Sequence, residues 1–181
     1  MDITLSTVLV LVLTATAAVT DLINHRIYNW TTYPGIILAL AVNYLQNGWD
    51  GDYPGLFDSL KGLALCGGLM LVCFVLRPDV GGGDLKLLAM VGAFLGLEKG
   101  LEALLWTFVL GAAAGVAVVI WRVGLFRLVR GVVRHVLLSL RLVSWLPLSQ
   151  AEREQLQPRL YLAPAAAIAV AIVSFNLVGF L

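Results

Sequence analysis

Six runs of apolar residues, parted by short polar breaks, dominate this chain and leave few folds open to it. They cover about 3–20, 31–47, 59–76, 84–97, 101–121 and 160–181. A helix that crosses a bilayer needs ~20 mostly apolar residues, and it satisfies its backbone N–H and C=O groups internally once water is gone. The overall balance agrees: 60% of the 181 residues are hydrophobic and 13% charged, against about 25% charged in a soluble domain. So little charge cannot clothe a soluble surface. The expected fold is an all-α integral membrane protein of about six transmembrane helices, forming a single domain over 1–181.

The first run is preceded only by Met1-Asp2. That lacks the positive charge of a secretory signal, so the run reads as a retained span. Cys66 and Cys73 share one apolar run, seven residues apart, which on a helix is two turns and too far to bridge. With no CxxC pair they read as small buried apolar residues, and neither a disulfide nor a metal site is expected.

The basic residues set an orientation. With the N-terminus outside, the inner side receives Arg26, Arg77, Lys86, Arg122, Arg127, Arg130, Arg134, Arg141, Arg153 and Arg159. The outer side keeps Lys61 and Lys99, among Asp2, Asp50, Asp52, Asp58, Glu98 and Glu102. The positive-inside rule therefore predicts N-out and C-out. In the segment 122–159, Arg127, Arg130, Arg134 and Arg141 fall within a narrow arc at 100° per residue, with Leu, Val and Trp145 on the remaining face. That pattern predicts a basic amphipathic helix lying in the headgroup region between the fifth and sixth spans, drawn by anionic lipids.

Two carboxylates stand apart from the other acids. Asp21 ends span one and Asp84 begins span four, both on the predicted cytoplasmic side. An anion at a helix C-terminus meets the negative end of the dipole, so Asp21 is poorly placed for helix stability alone. Asp84 follows Gly81-Gly82-Gly83, where it has a structural use as an N-cap. Length adds a clue. Asp84 to Leu97 is 14 residues, or ~21 Å of helix, against a hydrocarbon core ~30 Å thick. If Glu98 marks the outer boundary, Asp84 lies below the inner surface, and an ionisable group at that depth is a functional candidate.

Two facing carboxyls supply the parts for peptide hydrolysis. Like charges a few ångströms apart do not both ionise readily, so the pair shares a proton. The ionised member then draws a proton from water while the protonated one polarises the scissile carbonyl. No metal, cofactor or covalent nucleophile is needed. His25 and His135 are the only histidines, and neither sits in a zinc or triad pattern.

Gly81-Gly82-Gly83-Asp84-Leu85-Lys86 resembles the GxGDxK signature of the type IV prepilin peptidases, within the wider GxGD class of intramembrane aspartyl proteases. Asp21-Leu22-Ile23-Asn24-His25-Arg26-Ile27-Tyr28-Asn29 resembles that family's other segment, an Asp followed by basic residues and Ile-Pro-Asn. Tyr161-Leu162-Ala163-Pro164-Ala165 resembles the proline-containing start of its last helix. The chain departs from the pattern at Tyr28, where the family has Pro. It also lacks the N-terminal extension with paired CxxC motifs that longer members carry, and so looks like the short form of tight-adherence pilus systems.

The resemblance implies an aspartic endopeptidase with Asp21 and Asp84 catalytic, in a multi-pass protein of the bacterial inner membrane. Gly81, Gly83, Lys86, Arg26 and Asn29 are supporting or substrate-binding candidates. It also implies a prepilin substrate with a short basic leader before an apolar helix, cut at the cytoplasmic face, without N-methyltransferase activity. Membrane lipids and pilus-assembly proteins are the other expected partners, and nucleic acid is not one. Lys86 has two readings, biasing Asp84 toward ionisation or snorkelling to lipid phosphates. Arg26 and Asn29 read as loop anchors. The alternatives are a small transporter binding a cation at the aspartates, or a structural pilus-assembly subunit in which they cap helices.

Overall fold

The computed structural model describes residues 5–24, 26–49, 54–76, 81–123 and 162–177. They form helices α1 (Leu5–Asn24), α2 (Asn29–Asn47), α3 (Leu56–Leu76), α4 (Gly82–Val123) and α5 (Leu162–Ser174). The chain divides into two compact units, Met1–Leu110 with Tyr161–Leu181 and, separately, Gly111–Leu160. Most of the segment expected to lie in the headgroup region, together with Arg77 and His25, falls outside the described residues.

Among the described residues the secondary structure is helical. Three helices are long and apolar enough to cross a membrane, by length and composition: Leu5–Asn24, Leu56–Leu76 and Gly82–Val118. α5 is a shorter apolar helix. α4 takes in both the fourth and the fifth apolar runs, and it is interrupted once, at Gly96, with φ 78° and ψ −168°. That conformation is open essentially to glycine alone. The break thus lies just before Glu98-Lys99-Gly100, the polar gap between the fourth and fifth apolar runs, and those three residues are helical.

The first half of α4, 82–95, is the centre of the larger unit. From Leu87 through Leu95 every residue is buried, as expected of a helix apolar all round. The surrounding apolar core takes Val10 and Ala17 from α1, Ala39 from α2, Cys66 and Met70 from α3, and Ala163, Ala166, Val170 and Val173 from α5. α1 packs along α5, α2 against α1, and α3 against α2. Small residues set these distances, because lipid supplies no hydrophobic drive between helices and close packing must replace it. At the crossing of α3 with α4, a Cβ on Gly62 would strike the Gly92 and Gly96 carbonyls, and one on Gly92 would lie 2.9 Å from Cys66 Cβ. Cys66 and Cys73 are free thiols, Cys66 buried and Cys73 half-buried.

A break in a buried helix strands backbone groups that must find partners elsewhere. Here they do. Asn43, fully buried on α2, donates its amide to the carbonyls of Ala93 (3.2 Å) and Phe94 (3.1 Å) at the end of the first half. The same amide reaches Ser59 Oγ at 2.7 Å, and Asn43 Oδ1 accepts from Ser6 Oγ at 2.6 Å. On the far side of the break, Leu97 N–H donates to the Asp58 carboxylate at 3.4 Å. One amide and one carboxylate therefore splice α4 and tie it to α1, α2 and α3.

Candidate active site

Asp21 lies in the last turn of α1, which continues to Asn24 rather than stopping at Thr20. It closes the buried stripe Val10, Thr14, Ala17, Ala18, Asp21, spaced three and four residues apart so that one face turns inward. Leu22 and Ile23, on the other sides of the helix, are exposed. The carboxyl is thus carried to the inner face by the same periodicity that buries the apolar stripe. The polar segment 21–29 between the first two apolar runs is helical at its start and leaves a short connection. Arg26, Ile27 and Tyr28 are non-helical and α2 begins at Asn29.

Asp84 stands in the first turn of α4, after Gly82 and Gly83. It is not the cap: its N–H donates to Gly81 O at 3.1 Å, and its carboxylate accepts from the Gly81 backbone. That reciprocal arrangement resembles a capping box, with the acid at the third helical position reaching back. The first turn is also where a helix stabilises negative charge. The carboxyl is half-buried, and it lies near enough to Asp21 for the charge of Asp21 to act on it. Two acids 63 positions apart in sequence are therefore electrostatic neighbours at the same end of the larger unit.

The α1–α2 turn lies against the start of α4. A Cβ on Gly83 would lie 2.9 Å from Ile27 Cβ and 3.4 Å from Ile27 Cγ1 and Cδ1. Gly83 therefore lets the chain's own hinge approach the helix closely. Lys86 Nζ donates to Asn29 Oδ1 at 2.9 Å and lies 4.8 Å from the centre of the Tyr33 ring. Neither reading of Lys86 from sequence alone included this link to α2. Arg26 is exposed. Gly81 is exposed too, and a Cβ there would meet Asp84 Oδ2 at 3.3 Å. Tyr28, in the place of the family proline, precedes α2 with φ −77° and ψ 136°, and its carbonyl accepts from the N–H (3.1 Å) and the hydroxyl (2.7 Å) of Thr31.

Among the described residues, no three of His, Cys, Asp and Glu group in a way that could hold a metal ion. The chemistry on offer at this end of the unit is that of two carboxyls. The sequence profile of the type IV leader peptidase family matches residues 8–116. The chain belongs to that family. No curated protein and no solved structure matched the chain. The match takes in Asp21, Asp84 and every other candidate residue named above, and it ends before the arginine-rich segment. This leader-peptidase relative is thus a membrane protein of protease type, with its two distinctive acids on the first and fourth helices.

Asn43 and Asp58 were not among the residues singled out from the sequence. A signal existed for Asn43. Thr32, Gly35, Ala39, Val42 and Asn43 form a small and polar buried stripe on α2, the pattern of a helix that packs on other helices inside a membrane. Asp58 carried no comparable mark, since an acid in the first turn of a helix suits the dipole without further purpose.

Proposed function

We propose that the chain is an intramembrane aspartyl endopeptidase that removes the short basic leader from type IV-like prepilins. The observation that carries the reading is the approach of Asp21, buried at the end of α1, to Asp84 in the first turn of α4, within a chain of the leader-peptidase family. The pair acts as a unit sharing one proton. The ionised carboxylate takes a proton from a water molecule as its oxygen attacks the scissile carbonyl. The protonated carboxyl donates to the carbonyl oxygen, and as the C–N bond breaks the carboxyl that took water's proton passes it to the leaving amine while the other recovers its proton from a diol hydroxyl. Holding the acids on two helices of a packed core fixes their geometry before substrate arrives.

In this reading the peptidase spans the bacterial inner membrane about six times, N-out and C-out, with Asp21 and Asp84 toward the cytoplasm. The substrate's apolar helix docks against the spans and presents its leader junction at the inner face. Residues 122–159 rest on anionic headgroups, and no N-methyl transfer accompanies cleavage. The test is to reconstitute the purified protein in lipid vesicles with candidate prepilins and follow the leader by mass spectrometry. Release of the intact leader at one defined bond supports the reading. Prepilins left whole, or cut at scattered sites, overturn it.

A further inference from the structure

The first turn of α4 is gripped on three sides. Asp84 lies near Asp21 of α1, Gly83 meets Ile27 of the α1–α2 turn, and Lys86 reaches Asn29 and the Tyr33 ring on α2. Residues two apart on a helix diverge by about 200°, so Asp84 and Lys86 leave the helix on nearly opposite sides. A grip on one therefore sets the rotation of the other. Lys86 suits the task because its Nζ carries three N–H donors on a flexible stem, and a cation over an aromatic face is held without a fixed direction. Gly81 before this turn and Gly82 at its start bear no side chain that could hold it.

We propose that Lys86 is a positioning residue: with Asn29 and Tyr33 it clasps the start of α4 to the start of α2 and so holds Asp84 turned toward Asp21. The proposal rests on the peptidase reading for its consequence in catalysis, but the clasp is a structural claim with its own readout. It departs from both simpler roles for Lys86, because the ammonium is committed to α2 and not to the aspartate or to lipid.

The experiment combines a distance with a rate. Gly82→Cys and Trp30→Cys place spin labels on the two clasped turns, in a Cys73→Ala background. Gly82 has open space where a Cβ would go, and Trp30 is 88% exposed. Double electron–electron resonance in lipid vesicles then compares the unmodified clasp with Lys86→Met, which keeps the stem and drops the charge and donors. Lys86→Arg is the conservative rescue. The clasp predicts a narrow distance distribution for the unmodified clasp and Lys86→Arg, broadened at least twofold in Lys86→Met and Asn29→Ala. A width unchanged in Lys86→Met overturns the clasp, whether or not the protein cuts prepilin.

For cleavage by unlabelled protein, Lys86→Met and Asn29→Ala are each expected to lower kcat about 10-fold with KM within twofold. The double variant should be no worse than either single, because both remove one link. Multiplying effects, or a change in KM alone, overturn the positioning role. Full cleavage by Asp21→Asn would instead count against the peptidase mechanism, leaving the distance measurement to decide the clasp.

Discussion

Replacing Asn43 by Leu should loosen this fold more than any other single change to a polar side chain in its core. Leu has the branching and heavy-atom count of Asn, so the substitution opens no cavity and removes every hydrogen bond, and its extra bulk in a packed core only adds to the cost. Four contacts are lost: from Ser6, and to Ser59, Ala93 O and Phe94 O. The two hydroxyls keep options, since Ser6 Oγ also reaches Gln46 Oε1 at 3.0 Å. The two carbonyls do not, because the break at Gly96 ends the helix that would otherwise supply their donors. A buried group left unpaired costs ~1–3 kcal/mol, whereas interhelical hydrogen bonds within a bilayer average nearer ~0.6. Between these limits, two stranded carbonyls cost about 2–4 kcal/mol. For a chain of this length that corresponds to roughly 4–16 °C in Tm. The assay is thermal unfolding of the purified protein in one mild detergent, with Asn43→Leu beside the parent. A Tm within 2 °C of the parent would refute the idea that Asn43 splices α4.

Gly83→Ala should lower leader cleavage sharply, because the new Cβ meets Ile27 at its own Cβ, where no side-chain rotation gives relief. Adding Ile27→Gly, which removes that Cβ, should restore most of the rate. Gly96→Ala forces a Cβ into a glycine-only conformation and against the Asp58 carboxylate. A loss of about 1–3 kcal/mol is expected, seen as a lower melting temperature, and an unchanged one would contradict the assigned break. Tyr28→Pro should fold normally and gain up to ~1 kcal/mol, since φ −77° already lies in the proline range. A destabilised Tyr28→Pro would mean that the turn before α2 differs from the one described.

Much of the helical order was legible because apolar runs and turn residues are local signals. Their ends were less so. Asp21 to Asn24 looks like a hinge by polarity, yet the helix runs through it, because an inward-facing acid and outward-facing Leu22 and Ile23 still obey helical spacing. The charges at 98–100 drew attention away from Gly96, whose positive φ no composition announces. Asp21 and Asp84 drew notice from the sequence as acids at the ends of apolar runs. Their approach depends on α4 sitting at the centre of the core, which is a tertiary fact. The same holds for Lys86 and Asn29. Each was a candidate alone, but their pairing needs α2 and α4 to run side by side from the same end.

The most direct test of the account is cleavage of a prepilin by purified protein carrying Asp21→Asn or Asp84→Asn. Asn keeps the size and the hydrogen-bonding shape of Asp but serves as neither acid nor base. General acid–base catalysis is worth ~100-fold or more, so each variant, still folded by its melting temperature, should lose at least that much in rate. If either variant cuts at the parent's rate, that aspartate is structural and the proposed mechanism is wrong.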